Sequence, residues 1–164
     1  MNSTDEFGPW AAARYGSLLH AAYLLTGSRD SAQDLVQTAL AKTQLAWRRV
    51  HTSPDAYVRR VMVSTNTDLW RRQPWRERSV ETISDRAAAG DSHGQVDDRD
   101  LLLRALQQLP ARMRSIVVLR YYLQLSESEC AELLGCSIGT VKSTSSRALD
   151  RLRTNPTLSA KELC

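Results

Sequence analysis

Residues 125–153, LSESECAELLGCSIGTVKSTSSRALDRLR, hold this part of the chain to a helical hairpin. Ser126 followed by Glu129 is a capping box, and it predicts a helix over 127–134. Leu134-Gly135-Cys136 is a tight turn, because glycine takes a positive φ without a Cβ clash. Ser137 then caps a second helix, with Ile138, Val141, Ala148, Leu149 and Leu152 as its apolar positions. Two helices joined this way form a helix-turn-helix unit, whose second helix enters the major groove of DNA. Thr140, Lys142, Ser143, Thr144, Ser146 and Arg147 are left facing outward. Most are short enough for close approach to a duplex, while Lys142 and Arg147 reach phosphates or guanine edges.

Helical periodicity governs the rest of the chain too, and the predicted class is all-α. A first helix is expected from Trp10 to Thr26, closed by Gly27 in the left-handed region. Asp30 with Gln33 forms a capping pair for a second helix carrying Ala32, Leu35, Val36, Ala39, Leu40, Thr43, Trp47 and Val50. Trp47 reads as core. Ser53, Pro54 and Asp55 mark the start of a third helix, as cap, first helical residue and acid near the positive end of the dipole. On that helix Val58, Val61, Met62, Thr65 and Leu69 form an apolar back. Arg60, Ser64, Thr67 and Arg71 form a polar front, flanked by Arg59, Trp70 and Arg72.

Composition changes after residue 76. In 77–99 large apolar residues are few, and Glu77, Glu81, Asp85, Asp91, Asp97 and Asp98 outnumber Arg78, Arg86 and Arg99. This predicts two small helical domains, 1–76 and 100–164, joined by an acidic flexible linker over 77–99. Fully extended, such a linker spans roughly 75 Å, about the length of two turns of B-DNA. In the second domain, helices are expected over 101–109 and, after Pro110, over 111–123.

Several classes of function are excluded. Among 22 basic residues only Lys42, Lys142 and Lys161 are lysine, and arginine is the side chain suited to phosphate and guanine. Cys130, Cys136 and Cys164 show neither disulfide-framework nor zinc-ligand spacing; with no apolar run of membrane length, the expectation is a soluble cytoplasmic chain without metal or cofactor. His20, His51 and His93 are scattered, and no phosphate-cradling glycine loop or nucleophile elbow is present, so an enzyme is not expected.

Four segments in order carry a resemblance: DSAQDLVQTALAKTQLAWRRV (30–50), AYVRRVMVSTNTDLWRR (56–72), LPARMRSIVVLRYY (109–122) and AELLGCSIGTVKSTSSRALDRLR (131–153). Together they resemble the extracytoplasmic-function sigma factors of bacterial RNA polymerase, in their sigma-E-like subgroup. The resemblance implies a monomer bound to core polymerase, with Asp34, Leu35 and Gln37 on the β′ clamp helices and the second domain against the β flap. It implies that the loop with His51, Thr52 and Ser53 captures a flipped base of the −10 element. Arg60, Ser64, Thr67, Arg71 and Arg72 would face the opened strand. Thr140, Lys142, Ser143, Thr144, Ser146 and Arg147 would read the −35 element. Family habit adds an anti-sigma factor, or regulated expression, as the means of control. Ser64 stands where many members carry asparagine, whereas Asp68, Arg71 and Arg72 keep the pattern. Two rival readings are a free-standing helix-turn-helix regulator and a protein that occupies polymerase without reading promoters. The first leaves QDLVQ without a role, the second leaves Lys142 and Arg147 without one.

Overall fold

The computed structural model describes residues 4–50, 53–72 and 98–159, and the described residues form helices and turns only. The described residues divide into two compact units, with the main change from one to the other at Leu69–Trp70 and the short stretch Glu132–Gly135 counted with the first.

The first unit is built on α1 (Thr4–Thr26), α2 (Arg29–Ala46), a 3₁₀ turn (Trp47–Arg49) and α3 (Pro54–Arg71). α1 starts earlier than the sequence suggested, and Pro9 lies inside it. Proline at that depth removes a helical hydrogen bond. Asp5 and Glu6 favour the positive helix end, and Phe7 and Trp10 both pack on Trp47, with ring centroids 5.2 and 5.0 Å away. Trp47 is buried, as expected. Gly27, at φ 73°, ends α1 by donating its N–H to Tyr23 O. α2 is capped by Ser28, whose hydroxyl accepts from Ser31 N, and not by Asp30, which sits in the first turn as a dipole partner. Ser53 caps α3 through Ala56 N, as expected.

Leu18, Ala22 and Leu25 of α1, Ala32, Leu35, Val36 and Ala39 of α2, and Val58, Met62 and Val63 of α3 are buried. Leu69 does not join them. It is 53% exposed, so the apolar back of α3 stops short of its end. Polar links tie α3 to its neighbours, among them Arg14 of α1 to Asp55, and Lys42 Nζ of α2 to Thr65 Oγ1 at 3.2 Å.

The second unit contains α4 (Asp98–Gln107), α5 (Ala111–Val117), α6 (Glu127–Leu134), α7 (Ile138–Arg153) and a final turn, α8 (Pro156–Ser159). The helix expected over 111–123 is regular only to Val117. Val118–Tyr122 widens into a π-helical turn, closed by Leu123 N to Val118 O at 2.9 Å. Such turns insert one residue and re-aim those around them. Gln124 follows in the left-handed region, at φ 56°. α5 packs on α7, and α8 on α4, where Asn155 Nδ2 donates to Gln108 Oε1 at 2.7 Å. Ala105, Leu106, Ile116, Leu119, Cys130, Val141 and Ala148 are buried here. Burial pushes the Cys130 thiol up to about 11, which keeps it protonated as a core residue.

Candidate nucleic-acid interface

The turn that presents α7 is fixed by local bonds. Ser126 N donates to Glu129 Oε2 at 2.7 Å, and Glu129 N returns to Ser126 Oγ at 3.1 Å, a complete capping box. Gly135 adopts φ 63°, the region that favours glycine. Ser137 Oγ then accepts from Thr140 N at 3.1 Å and starts α7.

Four of the six residues read as outward-facing on α7 are exposed: Lys142, Ser143, Ser146 and Arg147. Thr140 is half-buried, its hydroxyl 2.9 Å from that of Ser137, so it extends the cap. Thr144 is a correction. It is 5% exposed and lies with Val141, Ser145 and Ala148 on the inner side, where a threonine methyl packs as well as a small apolar group. Its hydroxyl sits 3.5 Å from Arg147 Nη2, and Arg147 Nε donates to Ser143 O, so the guanidinium is steered along the helix. Ile138, read as inward, is 45% exposed at the N-terminal end of α7.

Two residues without an assigned part in the sequence flank this helix. Glu127, in the first turn of α6, lies 3.7 Å from Lys142 Nζ and 3.9 Å from Arg120 Nη2. Arg120 comes from the π-helical turn, and no local signal marks that turn.

Along α3 and at the residue after it, Arg60, Ser64, Arg71 and Arg72 are exposed, and Arg71 lies over the Trp70 ring at 5.8 Å. Ser64 Oγ donates to Val61 O, which occupies its hydrogen. Thr67 is the second correction: it is 2% exposed and points inward with Met62, Val63 and Asn66. His51 and Thr52 lie outside the described residues, as does the linker over 77–97. Ser53 is half-buried and committed to its cap.

α2 supplies the third correction. Asp34 and Gln37 are exposed, but Leu35 is 2% exposed beside Val36 at 0%. The helical period turns 32, 35, 36, 39 and 43 inward together, so Leu35 is core. The exposed apolar residue of this helix is Leu45, 84% exposed, above a groove lined by Phe7, Gln44, Trp47, Arg48 and Arg49. Leu45 lies off the arc of 32, 35, 36, 39 and 43, which is what leaves it exposed.

Residues 11–76 match the family description "Sigma-70 region 2", and 99–152 match "Sigma-70, region 4". The chain is 42% identical over 155 residues to the RNA polymerase sigma-E factor of Streptomyces coelicolor, covering 93% of this chain and 87% of that one. It is 44% identical to the sigma-E factor of Streptomyces avermitilis, over 90% of this chain and 83% of the relative. Among solved structures it is similar to the sigma factor RpoE from Bartonella quintana, determined in complex with the anti-sigma factor NepR. That likeness has a TM-score of 0.65 and 26% identity, over 90% of this chain and 94% of that one. Among the described residues no helix is long and apolar enough to cross a membrane.

Proposed function

Because this chain belongs to the sigma-70 family of RNA polymerase sigma factors, we propose that its two units divide promoter recognition between them. Its role in promoter-specific transcription initiation follows from the family; the residues assigned to each task are our reading. Residues 1–76 bind core polymerase and open the −10 element, residues 77–99 connect, and 100–164 read the −35 element. The chain itself catalyses nothing, and bond formation belongs to the polymerase.

The exposed, donor-rich strip of α7 supports this best. Lys142, Ser143, Ser146 and Arg147 lie on one capped helix, at the position where a helix-turn-helix enters the major groove. Arg147 is the base reader we assign, since its fork matches the guanine edge. Along α3 and at the residue after it, Arg60, Ser64, Arg71 and Arg72 follow the opened strand, and Trp70 with Arg71 offers an aromatic, cationic ledge for it. Asp34 and Gln37 contact the polymerase clamp; the buried Leu35 supports them from within.

The test is transcription reconstituted from core polymerase with and without the chain on a genomic fragment library. New start sites sharing two spaced upstream motifs uphold the reading. Binding to core without new starts overturns the promoter-reading part, and absence of binding to core overturns the polymerase part.

A further inference from the structure

We propose that Glu127 occupies, in the free protein, the place of a backbone phosphate of the promoter. It holds Lys142 and Arg120 until DNA displaces it. The proposal rests on the reading of α7 as the −35 helix.

Three elements meet here. α6 contributes Glu127, α7 contributes Lys142, and the π-helical turn contributes Arg120. The two carboxylate oxygens divide between the cations, Oε2 to Lys142 Nζ at 3.7 Å and Oε1 to Arg120 Nη2 at 3.9 Å. Arg120 is anchored on its other side, where Nη1 donates to Leu125 O. Next to it the Tyr121 hydroxyl lies 3.2 Å from Ser145 Oγ of α7, which ties the π-helical turn to that helix. An anchored guanidinium, an ammonium and an oxyanion between them make up a phosphate site with a carboxylate in it.

Both contacts are long for ion pairs, and Lys142 is 63% exposed, so the pairs are loose and open to exchange. Glu127 is not needed to start α6, because Ser126 and Glu129 already complete the capping box. Its partner Lys142 is the neighbour of Ser143 and lies one turn before Ser146 on α7, the strip assigned to the groove. A phosphate carries the same charge with oxygens free to reach both cations. It displaces the carboxylate once the duplex is docked, whereas loosely held DNA must compete with it. The consequence is low affinity of the free chain for DNA in general.

The full chain is titrated with a labelled 20-bp duplex of random sequence, and with a promoter duplex taken from the transcription test, between 50 and 200 mM salt. Glu127→Gln is expected to tighten random-duplex binding roughly fivefold to tenfold at 0.1 M salt. The slope of log K against log salt should steepen by about 0.9 to 1.8, for one or two added phosphate contacts. Glu127→Asp, which keeps the charge, should stay near the parent. In an Arg120→Gln, Lys142→Gln background the gain should vanish. Equal or weaker binding by Glu127→Gln overturns the placeholder, and so does an undiminished gain in the double background. Thermal unfolding of each variant checks that the fold survives. Arg147→Ala on the promoter duplex tests the −35 reading separately: loss of discrimination there upholds it whatever Glu127 does.

Discussion

Arg14 grips the Asp55 carboxylate with both arms of its fork, Nε to Oδ1 at 2.7 Å and Nη2 to Oδ2 at 3.3 Å. The pair joins the middle of α1 to the first turn of α3, forty-one residues later in the chain. It fixes where α3 begins, immediately after the loop assigned to the −10 element. Asp55 also sits at the positive end of its own helix, so one side chain serves both a tertiary link and a dipole.

This pair predicts a pH dependence. The Arg14 hydrogen bond, above all, holds the Asp55 carboxyl below its usual value. A carboxyl lowered on folding stabilises fully above its unfolded value of about 4, and the contribution is lost as pH falls through the lower folded value. Asp55→Asn should therefore lower Tm at pH 7, and the gap to the parent should close below about pH 4. A gap unchanged at low pH would mean that the carboxylate charge contributes nothing. The pair is substantially exposed, so the effect is small and salt-sensitive.

On α2 the expected effects separate into stability and binding. Leu35→Ala removes a fully buried side chain and should cost about 2–5 kcal/mol of stability, as in other large-to-small core changes. Asp34→Ala and Gln37→Ala alter exposed positions and should change stability by no more than about 0.5 kcal/mol. If the clamp assignment holds, those two weaken core-polymerase binding at unchanged Tm. Pull-down against core, with unfolding curves beside it, distinguishes the cases, and unchanged affinity in the Asp34, Gln37 double variant sinks the assignment.

Leu35 also shows what the sequence could and could not carry. The period of α2 alone puts residues 32, 35, 36 and 39 on one arc; the family resemblance moved Leu35 outward against that arc, and packing follows the arc. The caps at Ser53, Ser126 and Ser137 and the Gly135 turn were legible because each is set by near neighbours, whereas at α2 Ser28 takes the place expected of Asp30. Thr67 and Thr144 were misplaced because a threonine suits either side of a helix. Nothing local announces the π-helical turn at Val118–Tyr122 or the left-handed Gln124, which carry neither glycine nor proline. The helix-turn-helix was therefore readable down to single bonds, whereas the Arg120–Glu127–Lys142 group depended on tertiary placement.

On α7 the burial of Thr144 sets a contrast with Arg147. Arg147→Ala should cost about 1–3 kcal/mol at one position of the −35 element if the fork reads a base, and relax discrimination there. Thr144→Val keeps the shape of an inward side chain and removes only the long 3.5 Å contact to Arg147 Nη2; with Arg147 Nε still donating to Ser143 O, promoter affinity should stay within about twofold. Titrating both against a set of single-base −35 variants decides the matter. Position-specific loss in Thr144→Val would return that residue to the interface, and uniform loss in Arg147→Ala would make it a phosphate contact.

The last prediction concerns Phe7, Trp10 and Trp47. Their centroids lie 5.0 to 5.8 Å apart, with Phe7 edge-on to Trp47 at 81°. Pro9 breaks the hydrogen-bond ladder of α1 nearby, so the turns before it depend on this aromatic packing more than on helix propensity. Trp47→Ala should cost about 3–5 kcal/mol, as a buried aromatic truncation does. Phe7→Ala should be milder and local: amide exchange should quicken at Gly8, Trp10 and Ala11, whose N–H groups face the carbonyls of the first turn, while the buried positions of α2 and α3 keep their protection. Exchange that quickens evenly through the whole first unit would show that Phe7 supports the core itself. Unchanged exchange at Gly8, Trp10 and Ala11 would show that the early turns of α1 stand without the cluster.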